Sequence, residues 1–509
     1  MKLLSSQSAL LLASAAVLCV ASAITVSAQT NNPTPAVLDQ SESGLIRTPA
    51  SPATPRINGP EIFGVRPNHP FFYHIPVTGD RPLEFSADNL PPSLTLDPVT
   101  GTITGTLSHM GNYHVNLHAR NALGVSDKKF KIVVGETIAL TPAMGWNSWN
   151  HYASRITQDI VLENAKAMAD SGLINHGWSY VNIDDTWQGP RGGQFFGLQG
   201  NKKFPDIKGL CDQIHALGLK FGIYSTPWQT SYAWYPGGSS DSPDGKWKPL
   251  KVISQYHFAT NDADQWAAWG VDYLKYDWYP IQLPETIEMN DALRNSGRDI
   301  VFSLSNSMNI TNGPTVGKVA NSWRTTGDIK ANWKSMSRQG FGQDKWRPYS
   351  SPGHWNDPDM LEIGTAEHGQ PGLTPDEEYT HMTLWCLLCS PLLLANDLSH
   401  MDAFTKSLLE NDEVIAVNQD SLGDQAVTIS HEGDARVYAK KMADGSHAIG
   451  LFNTGTNGTI TVTVKWKDLH LHFSHDVRDL WRQKDLGKFR GEFSLPVAPH
   501  SAELVQIAP

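Results

Sequence analysis

The sequence predicts an α/β protein, a (β/α)8 TIM barrel flanked by an N-terminal β-sandwich and a C-terminal antiparallel β-domain. Three observations carry this expectation. Between residues 138 and 419, apolar strand-like runs alternate with helical periodicity eight times. Short alternating strands separated by Gly, Pro and Asp turns come before that region. A second stretch of alternating residues follows it, from 420 to 509. A chain of 509 residues is too long for one core, so several domains are expected.

The elements follow in chain order. Lys2, the apolar run Ala9 to Ala23 and the small-residue site Val26-Ser27-Ala28 read as a secretory signal over 1–28, cleaved before Gln29. The mature chain is then expected to be secreted or periplasmic. Residues 29–56 are rich in Pro, Ser, Thr and Asn and read as a flexible linker. Residues 57–137 hold runs such as Thr102-Ile103-Thr104 and Tyr113-His114-Val115-Asn116-Leu117, the pattern of a small sandwich.

Eight strand ends are expected in 138–419: Ala143–Asn147, Tyr180–Asp185, Lys220–Ser225, Tyr273–Asp277, Ile300–Ser305, Trp323–Asp328, His354–Leu361 and Pro391–Asp397. Thr157 is placed to cap a helix with Val161, Ala165 and Met168 on one face and Gly172 at its end. Pro205 is expected to open another, with Leu210, Cys211, Ile214 and Leu217 inward. In 420–509, runs such as Arg436–Lys440, His447–Phe452 and Thr459–Val464 read as antiparallel strands.

Composition narrows the function. A formal net charge of -11 argues against nucleic acid and anionic membranes as partners. Beyond the leader, no stretch is long and apolar enough to span a bilayer. Without Cys19, which leaves with the leader, Cys211, Cys386 and Cys389 remain. The last two have CxxC spacing but no second pair to complete a zinc site, and they lie in an apolar run, so buried thiols are expected. His470, His472 and His475 read as surface residues. No metal and no cofactor are expected, and no Gly-rich phosphate loop follows an early strand.

Chemistry in a barrel of this kind sits at the C-terminal strand ends. The reactive or ring-bearing residues there are Trp146, Trp149, Asp184, Asp185, Tyr224, Lys275, Asp277, Ser305, Arg324, Asp328, Asp357 and Asp359. Carboxylates dominate. Lys275 and Asp277 are two apart on a strand and face the same way, so the ammonium is expected to keep the carboxylate ionised. One ionised and one protonated carboxyl are the minimal kit for glycoside hydrolysis. Periodicity does not say which two react. Each candidate also has a structural reading: Asp184-Asp185 as a turn, Asp357 and Asp359 as organisers of a loop (the favoured reading for those two), and Arg324 as half of a barrel ion pair.

A resemblance sharpens this. Met144-Gly145-Trp146-Asn147-Ser148-Trp149-Asn150, Asn182-Ile183-Asp184-Asp185-Thr186-Trp187, Leu274-Lys275-Tyr276-Asp277, Trp323-Arg324-Thr325-Thr326-Gly327-Asp328-Ile329 and Trp355-Asn356-Asp357-Pro358-Asp359-Met360-Leu361 occur in that order. Together they resemble glycoside hydrolase family 27, which holds α-galactosidases and α-N-acetylgalactosaminidases. The resemblance runs from about 138 to 425. It implies a retaining mechanism with Asp277 as nucleophile and Asp328 as general acid/base. It further implies that Asp184, Asp185, Lys275 and Arg324 bind the sugar, and that Trp149, Tyr224 and Met360 line the pocket.

The implied partner is a galactose-containing oligosaccharide or polysaccharide. The runs Leu90–Asp97 and Thr100–Thr106 resemble immunoglobulin-like modules found beside secreted bacterial enzymes.

Two departures from the family matter. A disulfide that many members carry near the site would fall at Tyr232 and Tyr279, so packing is expected to hold the mouth instead. Ser305 stands where α-galactosidases often carry a Glu that contacts the 2-hydroxyl. The order of expectation is therefore α-galactoside, then α-N-acetylgalactosaminide, then β-L-arabinopyranoside. The rival from another class is a carbohydrate-binding protein that no longer catalyses.

Overall fold

The computed structural model describes residues 45–364 and 372–509. The expected signal, and the linker up to residue 44, lie outside the described residues. Eight parallel strands form the central ring: β1 (Met144–Asn147), β2 (Tyr180–Asn182), β3 (Lys220–Ser225), β4 (Tyr273–Asp277), β5 (Val301–Ser305), β6 (Ser322–Arg324), β7 (Trp355–Asp357) and β8 (Leu392–Leu394). They neighbour one another in sequence order, and β8 pairs with β1 through Met144↔Leu392 and Trp146↔Leu394.

The ring closes through a residue beyond β7. Leu361 N–H donates to Leu393 O at 2.8 Å, and Ala395 N–H donates to Leu361 O at 3.2 Å. Pro358 has no N–H to give the ladder, and Asp359 turns through φ +95°. The chain therefore leaves the sheet after Asp357 and rejoins it at Leu361. β6 ends at Arg324, so Asp328 stands on the loop above it.

The helices follow local capping chemistry. Thr157 accepts a hydrogen bond from Ile160 N–H and caps Gln158–Asp170, whose buried face includes Val161, Ala165 and Met168. Gly172, at φ +91°, turns the chain out. The helix expected to open at Pro205 starts later, at Ile207. Asp206 caps it by accepting from Gly209 N–H, because a carboxylate satisfies an orphan amide that Pro205 cannot.

The N-terminal strands form a four-stranded and a three-stranded sheet around their own core, which includes Phe71, Ile103, Val115 and Ile132. This module caps the N-terminal end of the barrel. Asn58 donates to Asn175 O, Arg66 and His69 pair with Asp299, and Phe72 lies against His215. Its contacts are thus on the face opposite the strand ends that carry the carboxylates. Within the segment expected as a linker, Arg47 pairs with Asp376 and Glu503, and its guanidinium lies over the Tyr379 ring. Residues 45–56 are thereby tied to the body of the protein.

The C-terminal domain is a six-stranded antiparallel sheet with a two-stranded ribbon. The helix Pro375–Leu387 is buried on nearly every side, because the barrel takes one face and this sheet the other. Tyr438, Phe452, Trp481 and Leu504 of the C-terminal domain join the barrel's own apolar cluster, so the two domains share one core. Cys211, Cys386 and Cys389 are free and buried. Among the described residues, no helix is long and apolar enough to cross a membrane.

Candidate active site

The carboxylates converge above the strand ends. Asp277 closes β4 and is 8% exposed. Both of its oxygens are held: Tyr224, from β3, donates its hydroxyl to Oδ2 at 3.0 Å, and Asn306, just past β5, donates its amide to Oδ1. Burial pushes the Asp277 carboxyl up to about 6, and the charge of Asp184 adds to this against the opposing pull of Lys275 and Tyr224. Lys275 was expected to hold Asp277 ionised. Its ammonium instead lies 2.7 Å from Asp184, and burial outweighs its remaining pull on Asp277.

The Asp184-Asp185 pair is a built feature rather than a free turn. Asp184 N–H donates to Ser148 Oγ at 2.9 Å. Asp185 accepts from Thr186 N–H at 2.6 Å and from Ala233 N–H at 2.8 Å, which ties the loop after β3 to the end of β2. Burial raises the Asp185 carboxyl above its usual range.

On the far side, Arg324 is buried and pairs with Asp359 at 2.9 Å and Asp328 at 3.2 Å. Asp359 also accepts from Ile329 N–H at 2.7 Å, and its own N–H donates to Asp357 at 2.7 Å. Those bonds fit the loop-organising reading of these two residues. Both also line a small cavity at the barrel mouth together with Lys275, Ser305, Arg324 and Met360. Burial pushes Asp357 up to about 6 and raises Asp359, while Arg324 opposes both shifts.

Removing the guanidinium would leave this cluster uncompensated. Arg324→Met should cost about 3–5 kcal/mol of stability at pH 7.5. Urea unfolding at pH 7.5 and pH 5 measures it. The deficit should shrink at pH 5, where Asp357 protonates in the folded state; an equal deficit at both pH values would mean that lost packing, not charge, is the cause.

The structure brings Asp184, Asp185, Tyr224, Lys275 and Asp277 into one cluster, and Ser305, Arg324, Asp328 and Met360 into its other wall. Asp328 is 84% exposed and reaches solvent, in contrast to Asp277. Met360 is buried and also belongs to an apolar cluster with Tyr273 and Leu393. Trp149 is half-buried, and its N–H donates to Asn147 Oδ1 at 3.0 Å. Trp146 is fully buried; its indole donates to Asn396 O at 2.7 Å, so it supports the barrel from inside.

Asn306 and Tyr232 are the residues that strand-end reasoning undervalued. Asn306 Nδ2 bridges Asp277 and the Tyr232 hydroxyl, 3.2 Å away. Trp228 packs edge-on against Tyr232, with centroids 5.1 Å apart. Polar and aromatic contacts therefore hold Tyr232 at the mouth, as expected where the family's common disulfide is absent. Adjacency to the end of β5 was the signal that could have placed Asn306.

A deeply buried carboxylate at the end of β4 and a solvent-facing one on the loop beyond β6, walled by rings, mark this barrel as a glycosidase. The alpha galactosidase A family model matches residues 141–420. The alpha galactosidase C-terminal beta sandwich model matches 432–507, and a provisional Ig-domain model matches 54–135. Alpha-galactosidase 2 of Arabidopsis thaliana is 38% identical over 389 residues, 74% of this chain and 91% of that protein.

Among solved structures, a Bacteroides fragilis protein provisionally described as an alpha-galactosidase superposes with a TM-score of 0.82 at 34% identity, covering 90% of this chain and 98% of its own. A family 27 β-L-arabinopyranosidase from Geobacillus stearothermophilus superposes with a TM-score of 0.62 at 29% identity, covering 73% of this chain and 97% of its own. The chain belongs to the alpha galactosidase A family, glycoside hydrolase family 27.

Proposed function

We propose that this protein is an exported, exo-acting, retaining glycosidase that removes terminal α-galactose residues by double displacement. The observation that carries the reading is the unequal pair of carboxyls: Asp277 buried with donors on both oxygens, and Asp328 exposed on the next wall. In the first step an Asp277 oxygen attacks the anomeric carbon as the glycosidic bond breaks, and Asp328 passes its proton to the leaving oxygen. The product is a glycosyl ester on Asp277. In the second step water attacks that carbon, Asp328 takes the water's proton, and Asp277 leaves as carboxylate. Asp184, Asp185, Lys275 and Arg324 supply the donors and acceptors for the sugar hydroxyls. Export rests on the leader-like sequence of residues 1–28.

Ser305 supports a second reading of substrate choice. It lines the mouth cavity with a short side chain, while its neighbour Asn306 is turned to Asp277, which leaves space for a larger 2-substituent. Initial rates on p-nitrophenyl α-galactoside, α-N-acetylgalactosaminide and β-L-arabinopyranoside test both readings, with NMR of the first-formed sugar. The α-galactoside is expected to be fastest and to release α-galactose first. Release of the β-anomer first would overturn the double displacement, and a faster N-acetylated substrate would move the specificity to the loop after β5.

A further inference from the structure

We propose that the loop after β3 builds a subsite for the leaving group, in which the exposed ring of Trp234 stacks on a neutral pyranose next to the bond being cut. The inference rests on the glycosidase reading above and names the kind of substrate that site takes: an α-galactoside whose aglycone is itself a sugar.

Trp234 is 54% exposed, an unusual position for a large ring unless something covers it. Its backbone adopts φ +67°, a conformation costly for a bulky residue. The neighbouring bonds hold it there: Ala233 N–H donates to Asp185, Trp234 N–H donates to Ser231 O at 3.1 Å, and Tyr235 N–H donates to Ser231 Oγ at 3.0 Å. The ring is therefore placed by the same carboxylate that forms the end of β2.

Lys251 sits over one face of Trp234, 4.3 Å from its centroid, and 5.1 Å from the Tyr232 centroid. This pins the two rings as one wall. Tyr232 is one side chain from the reacting carboxyl, because its hydroxyl accepts from Asn306, which donates to Asp277. The charges of Asp277 and Asp328 both reach its phenol, and Tyr279 lies close as well. Tyr279 is 59% exposed and follows the nucleophile by two residues. The wall thus runs from the two carboxyls outward into solvent.

Bond cleavage sends the leaving oxygen toward Asp328, the exposed carboxyl that protonates it. A sugar leaving on that side meets Tyr232 and then Trp234, and the apolar C–H face of a pyranose matches an indole face.

The test compares kcat/KM on two substrates: α-galactosyl fluoride, whose leaving group has no ring, and a trisaccharide with terminal α-galactose on a neutral sugar. The variants are Trp234→Leu and Trp234→Phe, with thermal unfolding to establish that each is folded. The ratio of trisaccharide to fluoride kcat/KM is expected to fall about fivefold to tenfold in the leucine variant. The phenylalanine variant, which keeps a flat ring, should lose less. A ratio within about twofold of wild type for the leucine variant would overturn the subsite, since stacking is what that ratio reads. Wild-type protein that fails to cleave the fluoride would overturn the glycosidase reading itself, and this subsite with it.

Discussion

Asp277→Asn is expected to lower kcat on an α-galactoside by on the order of 10,000-fold while leaving the barrel folded. An amide keeps the shape of the carboxylate but cannot form the glycosyl ester. The variant also removes a charge that the fold buries at a cost. Because burial holds the Asp277 carboxyl at about 6 in the folded protein, above its usual value of 3.8, this group favours the folded state most below pH 3.8. That contribution is lost as pH rises through 6. At pH 7.5 the variant should therefore melt no lower than wild type, and the difference should narrow in acid.

Under the proposed mechanism the same carboxyl is expected to set the acid limb of the wild-type pH profile. As the proposed nucleophile, Asp277 must be ionised, so kcat/KM should fall as pH drops below about 6. Turnover by Asp277→Asn within tenfold of wild type would remove Asp277 from the role of nucleophile.

Asp328→Ala should give the second largest effect, with a signature of its own. Loss of a general acid costs about 100- to 10,000-fold where the leaving group needs a proton. It costs far less with 2,4-dinitrophenyl α-galactoside, whose leaving group departs as an anion. Azide should then restore turnover and yield α-galactosyl azide, because a small anion can attack the glycosyl-enzyme without a base. The side chain's exposure gives azide a route to that position. Equal losses on substrates with good and poor leaving groups, and no azide product, would mean that Asp328 acts only through its ion pair with Arg324.

The architecture of the chain was legible from local pattern. Strands such as Lys220–Ser225 and Tyr273–Asp277, and the helix capped by Thr157, follow from periodicity and capping chemistry that a short window contains. The carboxylates of the site were legible too, because each stands at or just past a strand end that the pattern locates.

What the linear sequence left open depends on groups far apart in the chain. Lys275 and Asp277 are neighbours on one strand, which suggested a pair, but Asp184 from another strand takes the ammonium. Burial, a property of the whole barrel, then decides the ionisation of Asp277. Asn306 and Tyr232 are separated from Asp277 by 29 and 45 residues, and no local pattern links them. The helix start at Asp206 instead of Pro205 was a local matter and was decided by which residue could accept a free amide. The sequence by itself determined the element order and the residue types at the strand ends. Only the tertiary structure decided which of those charges meet, how deeply each is buried, and which ring stands open beside them, because pairing and desolvation arise only when distant strands close into one ring.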